Sequence, residues 1–122
     1  MSVGSFQKLI VWQKAHSLTL EIYKMTKSFP SEERFGLTTQ VRRPSASIGA
    51  NISEGYKKSE REFTRYLDIA QASLEETKYH LLLSKDLGYL LTGTYEASLF
   101  LTEEVGKLIN GLLKRLRFNT IP

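Results

Sequence analysis

Apolar residues recur at intervals of three and four along most of this 122-residue chain, and that spacing restricts it to helical folds. Val11, Ala15, Leu18, Ile22, Met25 and Phe29 keep the interval without a break. Phe63, Leu67, Ala70, Leu74, Thr77 and Leu81 keep it again, as do Leu99, Thr102, Gly106, Ile109, Leu113 and Leu116. Side chains three and four apart share one face of a helix, whereas a strand needs alternation, and no useful alternating stretch occurs. Each segment therefore reads as an amphipathic helix that must bury one stripe.

The ends of these segments are marked. Pro30 stops the first helix. Ser31 is expected to cap the following turn, with Glu32 and Glu33 at its positive end. The second helix carries Leu37, Val41, Ile48 and Ile52 on one side and is expected to close on Gly55 as a left-handed cap. Ser59 with Glu62 forms a capping box for the third helix, Gly88 follows its last turn, and Thr94 with Glu96 opens the fourth. Pro44, inside the second helix, removes one backbone hydrogen bond and should bend the chain unless the helix starts there. Four helices of similar length with short connections predict an all-α, antiparallel up-down-up-down four-helix bundle, in one domain over residues 1–122. The fourth stripe is as regular as the others, which argues against three helices and a tail.

The second helix also lines up polar groups beside its apolar face. At about 100° per residue, Arg43, Ser47, Asn51 and Glu54 fall in one narrow sector. Ala46, Gly49 and Ser53 on the other flank are small enough to admit another backbone. Folding the second helix onto the third about Lys57 and Lys58 pairs residues whose numbers sum to roughly 117, because both helices rise about 1.5 Å per residue. Arg43 then meets Glu75, Asn51 meets Tyr66, and Glu54 lies near Arg61 and Arg65. The expectation is an interhelical polar network with Arg43–Glu75 as its central ion pair, setting register more than stability. The same groups could line a catalytic site only if a carboxylate or histidine faced a pocket.

The chain has 17 Lys and Arg against 13 Asp and Glu, a net charge of +4. Lys57, Lys58, Arg61 and Arg65 are its densest basic cluster, with Tyr56 and Tyr66 close by and Glu60 and Glu62 interleaved. Together with Arg42 they are the candidate nucleic-acid contacts, cations for phosphates and aromatics for bases. In one subunit a solvated hairpin end is the favoured reading of the cluster; a ring would repeat it around an axis and multiply the contacts. Trp12 beside Phe6 and Leu9, and Tyr89, Leu90, Leu91, Tyr95 and Phe100, add apolar bulk that a subunit interface would use.

Other chemistries find little footing. With no cysteine there is no disulfide framework and no thiolate metal site, as suits a reducing cytoplasm. Neither His16 nor His80 has a glutamate three residues earlier, so the di-metal pattern of helical bundles is missing. No phosphate-binding glycine loop, nucleophile elbow or zinc signature occurs, and no catalytic residue, cofactor or metal is assigned. The N-terminus does not read as a secretory signal, and no apolar run reaches the roughly 20 residues of a membrane span. A cytoplasmic protein is expected.

Val11-Trp12-Gln13-Lys14-Ala15, Phe29-Pro30, Phe35-Gly36-Leu37-Thr38, Gln40-Val41-Arg42-Arg43, Ser47-Ile48, Asn51-Ile52-Ser53-Glu54-Gly55 and Glu62-Phe63 with Arg65-Tyr66-Leu67 occur in this order. The series resembles the small bacterial four-helix-bundle proteins named after the intervening sequences of 23S ribosomal RNA genes. That family commonly has a small residue where Pro44 stands and often a proline where Gly49 stands. The resemblance implies an antiparallel four-helix bundle and, as in related members, a five-fold ring. It also implies kinship with the accessory protein of diversity-generating retroelements, a basic pentamer linked to nucleic acid and a reverse transcriptase. The expected function is that of a non-enzymatic homo-oligomer serving as an RNA- or nucleoprotein-binding accessory. The rival is a homo-oligomeric protein scaffold that touches no nucleic acid, and an enzyme built on Arg43, Glu54 and Glu75 ranks last.

Overall fold

The computed structural model describes residues 6–120, and its elements are helical. A single-turn 3-10 helix at Phe6–Lys8 leads into α1 (Ile10–Thr26), and another at Ser31–Glu33 precedes α2 (Leu37–Tyr56). Then come α3 (Glu60–Asp86) and α4 (Thr92–Thr120). Cross-links between helices give the directions. Thr19 and Arg42 tie α1 to α2 through Ser45 and Thr26, so numbers rise on one helix as they fall on the other. Asp68 with Arg117 and Gln71 with Asn110 do the same for α3 and α4. Lys14 reaches Glu104 at 3.3 Å and closes the square between α1 and α4. The bundle is all-α, antiparallel and up-down-up-down.

Its core is the predicted stripes with small changes of register. Leu18, Ile22, Ile48, Ile52, Leu67, Leu74, Leu81, Val105 and Ile109 are all but sealed from solvent. Each such side chain contributes about 1.5–3 kcal/mol of burial. In α4 the buried line runs Ser98, Thr102, Val105, Ile109, Leu113 and Leu116, so Ser98 and Val105 replace the expected Leu99 and Gly106. Four buried hydroxyls donate back into their own helices: Thr26 to the Ile22 carbonyl, Thr77 to Ser73, Ser84 to His80 and Thr102 to Leu99.

Two local expectations need correction, and the condition attached to Pro44 is decided. Ser31 makes no side-chain cap. Glu33 does that work instead: its Oε1 accepts from the Leu37 amide at 3.0 Å, while its Oε2 accepts from the Tyr89 hydroxyl at 2.9 Å. One carboxylate thus anchors the start of α2 and clips it to the α3–α4 turn, and these two bonds hold it below the usual carboxylate range. Gly55 is not a left-handed cap either; the one described residue with positive φ is Gly88, at 84°. Gly55 lies inside α2, buried against α3, where a Cβ would stand 2.5 Å from the Tyr66 Cβ and 2.9 Å from the Phe63 ring. Finally, α2 starts at Leu37 and runs through the buried Pro44, which leaves the Gln40 carbonyl without its usual helical donor.

Candidate nucleic-acid interface

The polar stripe of α2 does not form the expected network. Arg43 is exposed and makes no hydrogen bond or ion pair among the described residues, while Glu75 pairs with Lys78 at 3.4 Å. Direction around the helix decides this, not height along it. On α3, Tyr66, Ala70, Ser73 and Thr77 face α2, whereas Asp68, Gln71, Glu75 and Lys78 lie on the flank toward α4, where Asp68 grips Arg117 and Gln71 bonds Asn110. Asn51 does not reach Tyr66; its amide donates to the Ser47 carbonyl at 2.8 Å and to the Ser47 hydroxyl at 3.0 Å. The link across the seam is Ser73 Oγ donating to Ser47 Oγ at 3.0 Å. Glu54 is exposed and pairs with neither Arg61 nor Arg65, and it lines a shallow cavity with Phe6, Lys57 and Lys58.

The groups that sequence places beside a core are therefore split between two seams and the solvent. Among the described residues, no three His, Asp or Glu side chains come together in a metal-binding group. His16 is exposed and stacks on Trp12 with ring centroids 4.7 Å apart.

The basic cluster has a clearer form. Ser59 caps α3 by accepting from the Glu62 amide, and its hydroxyl donates to the Glu62 carboxylate, both at 3.2 Å. That capping box turns Glu62 toward the helix end. Lys57, Lys58, Arg61 and Arg65 are all exposed, and none forms an ion pair among the described residues. Tyr56 packs edge-on against Phe63 with part of its ring open to solvent. Arg42 does not belong here. It lies fifteen residues before Lys57 on the same helix, about 22 Å along the axis, and its guanidinium is engaged with α1.

Residues 7–111 match the family described as 23S rRNA-intervening sequence protein. The chain belongs to that family. A solved structure from Bacteroides thetaiotaomicron, described as a protein with unknown function from the S23 ribosomal protein family, is 29% identical. It superposes with a TM-score of 0.77, over 86% of this chain and 99% of that one. A comparison with curated proteins finds no match.

In this 23S rRNA-intervening sequence protein, the fold gathers charge that is scattered in sequence. The end where α2 turns into α3 also receives the start of α1 and the last turns of α4. It carries Lys8, Lys57, Lys58, Arg61, Arg65, Lys114, Arg115 and Arg117 against Glu54, Glu60, Glu62 and Asp68. Eight bases over four acids leave +4 at this end, and the other nine bases and nine acids cancel. The net positive charge of the chain is thus concentrated at one end of the bundle. Reading the turn alone misses Lys8, Lys114, Arg115 and Arg117. An antiparallel topology with short connections is the signal that would have brought them in, because it puts the fourth helix's C-terminus beside the third helix's start.

Proposed function

We propose that this family member is a non-catalytic homo-oligomer, a ring of five subunits acting in the cytoplasm, that presents its basic ends to RNA or a nucleoprotein. The observation that carries this reading is the concentration of net charge at one end, with four exposed cations free of carboxylate partners there. Such an end neutralises phosphates without sequence preference, and repetition around a ring turns weak contacts into avidity. Self-assembly is supported by a 330 Å³ groove between α1 and α2, where Ala46, Gly49 and Ala50 leave room beside Trp12 and Phe6. Exposed Leu20 and Phe100 add apolar surface. A non-catalytic role is supported by the dispersal of Arg43, Glu54 and Glu75, which share no pocket. No helix among the described residues is long and apolar enough to cross a membrane.

Binding to a structured RNA at low salt, followed by fluorescence anisotropy, tests the reading. Charge reversal at Lys57, Lys58, Arg61 and Arg65 should weaken it at least about tenfold. Light scattering should give five 13.9 kDa subunits, about 70 kDa. A stable oligomer with no RNA affinity would favour the protein-scaffold reading, for which the apolar groove is the supporting observation; a monomer at high concentration would remove the ring.

A further inference from the structure

Arg42, excluded from the basic end, belongs to a second cationic group beside the α1–α2 turn. A cavity of about 370 Å³ opens there, and Lys27, Arg34 and Arg42 all line it, with Ser31 and Thr38 between them. Arg42 is held in place before any ligand arrives. Its Nε donates to Thr26 Oγ1 at 2.8 Å, one Nη2 hydrogen goes to the Tyr23 carbonyl at 3.3 Å, and its plane lies over the Tyr23 ring 4.5 Å from the centroid. Thr26 is itself fixed, since it is buried and donates to the Ile22 carbonyl at 2.7 Å. A guanidinium carries five N–H donors, so these contacts leave three unspent on a group whose ordering cost is already met.

The nearby carboxylates form no ion pair with this group. Glu33 spends one oxygen on the Leu37 amide and the other on Tyr89, and Glu32 lies close enough to bear electrostatically on Tyr89 as well. Neither glutamate lines the cavity. Lys27, Arg34 and Arg42 form no ion pair among the described residues, and Thr38, though mostly buried, makes no side-chain hydrogen bond there. A pre-oriented fork, two further cations and two hydroxyls around one concavity match a tetrahedral anion better than a carboxylate side chain or an apolar group.

We propose that this cavity binds a phosphate-class anion, with Arg42 as the fixed fork and Lys27 and Arg34 closing over it. The site lies at the opposite end of the bundle from Lys57 and Lys58 and does not depend on the function proposed above. Its phosphate could come from a phosphorylated small molecule or from a ribonucleic-acid backbone.

The experiment is a titration of the ¹⁵N-labelled full chain with inorganic pyrophosphate and, separately, with a short RNA oligonucleotide, at low salt. Amide shifts centred on Lys27, Ser31, Arg34, Thr38 and Arg42 are expected with pyrophosphate. The double variant K27Q/R34Q, which touches only exposed side chains, should weaken binding about tenfold. R42K keeps the charge but loses the fork and should weaken it by a similar factor. The quadruple reversal at Lys57, Lys58, Arg61 and Arg65 should leave pyrophosphate binding unchanged. If RNA moves the same amides and pyrophosphate competes, the phosphate is a backbone one; if only pyrophosphate moves them, it is a small molecule. No shift at millimolar pyrophosphate, binding unaltered in K27Q/R34Q, or binding lost in the quadruple variant would each overturn the site.

Discussion

Gly55→Ala separates two opposed effects in α2. Alanine is the better helix former, by about 0.8–1 kcal/mol over glycine in a helix interior. The Gly55 backbone has ordinary negative φ, so alanine brings no conformational strain. Against this, the new methyl would stand 2.5 Å from the Tyr66 Cβ and 2.9 Å from both the Tyr66 Cγ and the Phe63 Cδ1. A Cβ and a ring held by buried Phe63 cannot yield as the tip of a flexible chain would, so α2 and α3 must move apart where they pack most closely. Overpacking of this kind costs about 1–3 kcal/mol, and the propensity gain offsets up to about 1 kcal/mol of it, leaving a net loss of up to about 2 kcal/mol. Gly111→Ala is the control. Gly111 is exposed inside α4 with nothing within 4 Å of its would-be Cβ, so the propensity gain should appear undiminished. Urea unfolding should therefore move the midpoints of the two variants in opposite directions at constant m. Gly55→Asn should be worse than alanine, whereas a left-handed cap would tolerate asparagine. A Gly55→Ala variant stabilised as much as Gly111→Ala would refute close packing at this seam.

Three further outcomes follow from the same geometry. A double-mutant cycle on Ser47→Ala and Ser73→Ala should give a coupling of about 0.5–1 kcal/mol, whereas Arg43→Gln with Glu75→Gln should give none; a coupling at the second pair would restore the discarded network. Pro44→Ala returns an N–H to the Gln40 carbonyl, a gain of up to about 3 kcal/mol, and gives up about 1–1.5 kcal/mol of buried ring, so thermal unfolding should shift upward; a lower midpoint would mean the ring's packing outweighs the hydrogen bond. Glu33 has its folded-state pKa lowered, first by the Leu37 amide and then by Tyr89. Its contribution is therefore present above the unfolded glutamate pKa and is lost as pH falls through the lower folded value. Glu33→Gln should flatten the acid limb of stability against pH, and an unchanged limb would show that Glu33 carries none of it.

Helix number and core face were legible because they rest on apolar spacing, which burial follows with small changes of register, and direction was legible from the short connections. The polar pairings were not, and the reason is specific. Folding α2 onto α3 by equal height places Arg43 and Glu75 at similar levels but says nothing about which flank of α3 each residue occupies. The heptad series Asp68, Gln71, Glu75 and Lys78 carried that information, since residues seven apart share a flank and Asp68 and Gln71 have partners on α4. The register was also displaced: Ser47 and Ser73 sum to 120 rather than 117, a shift of three residues, about 4.5 Å along the axis. Gly55 misled because a glycine near a helix end signals two different needs, a positive φ or a close approach. Sequence does not distinguish them, and Tyr66 across the seam selects the second. The basic end was half visible, as the turn cluster is contiguous in sequence while its α4 contribution has to be read through the antiparallel topology.

The central claim is that function resides at the basic end of the bundle and not in the polar stripe of α2. The salt dependence of RNA affinity tests it most directly, because the slope counts phosphates neutralised. If Lys57, Lys58, Arg61 and Arg65 each meet a phosphate, log K should fall against log salt with a slope of about −3 to −4 per engaged subunit. Reversing these four charges should flatten that slope, and Arg43→Gln should leave it unaltered. A slope near zero in the native protein, or one unchanged by the four reversals, would contradict the account.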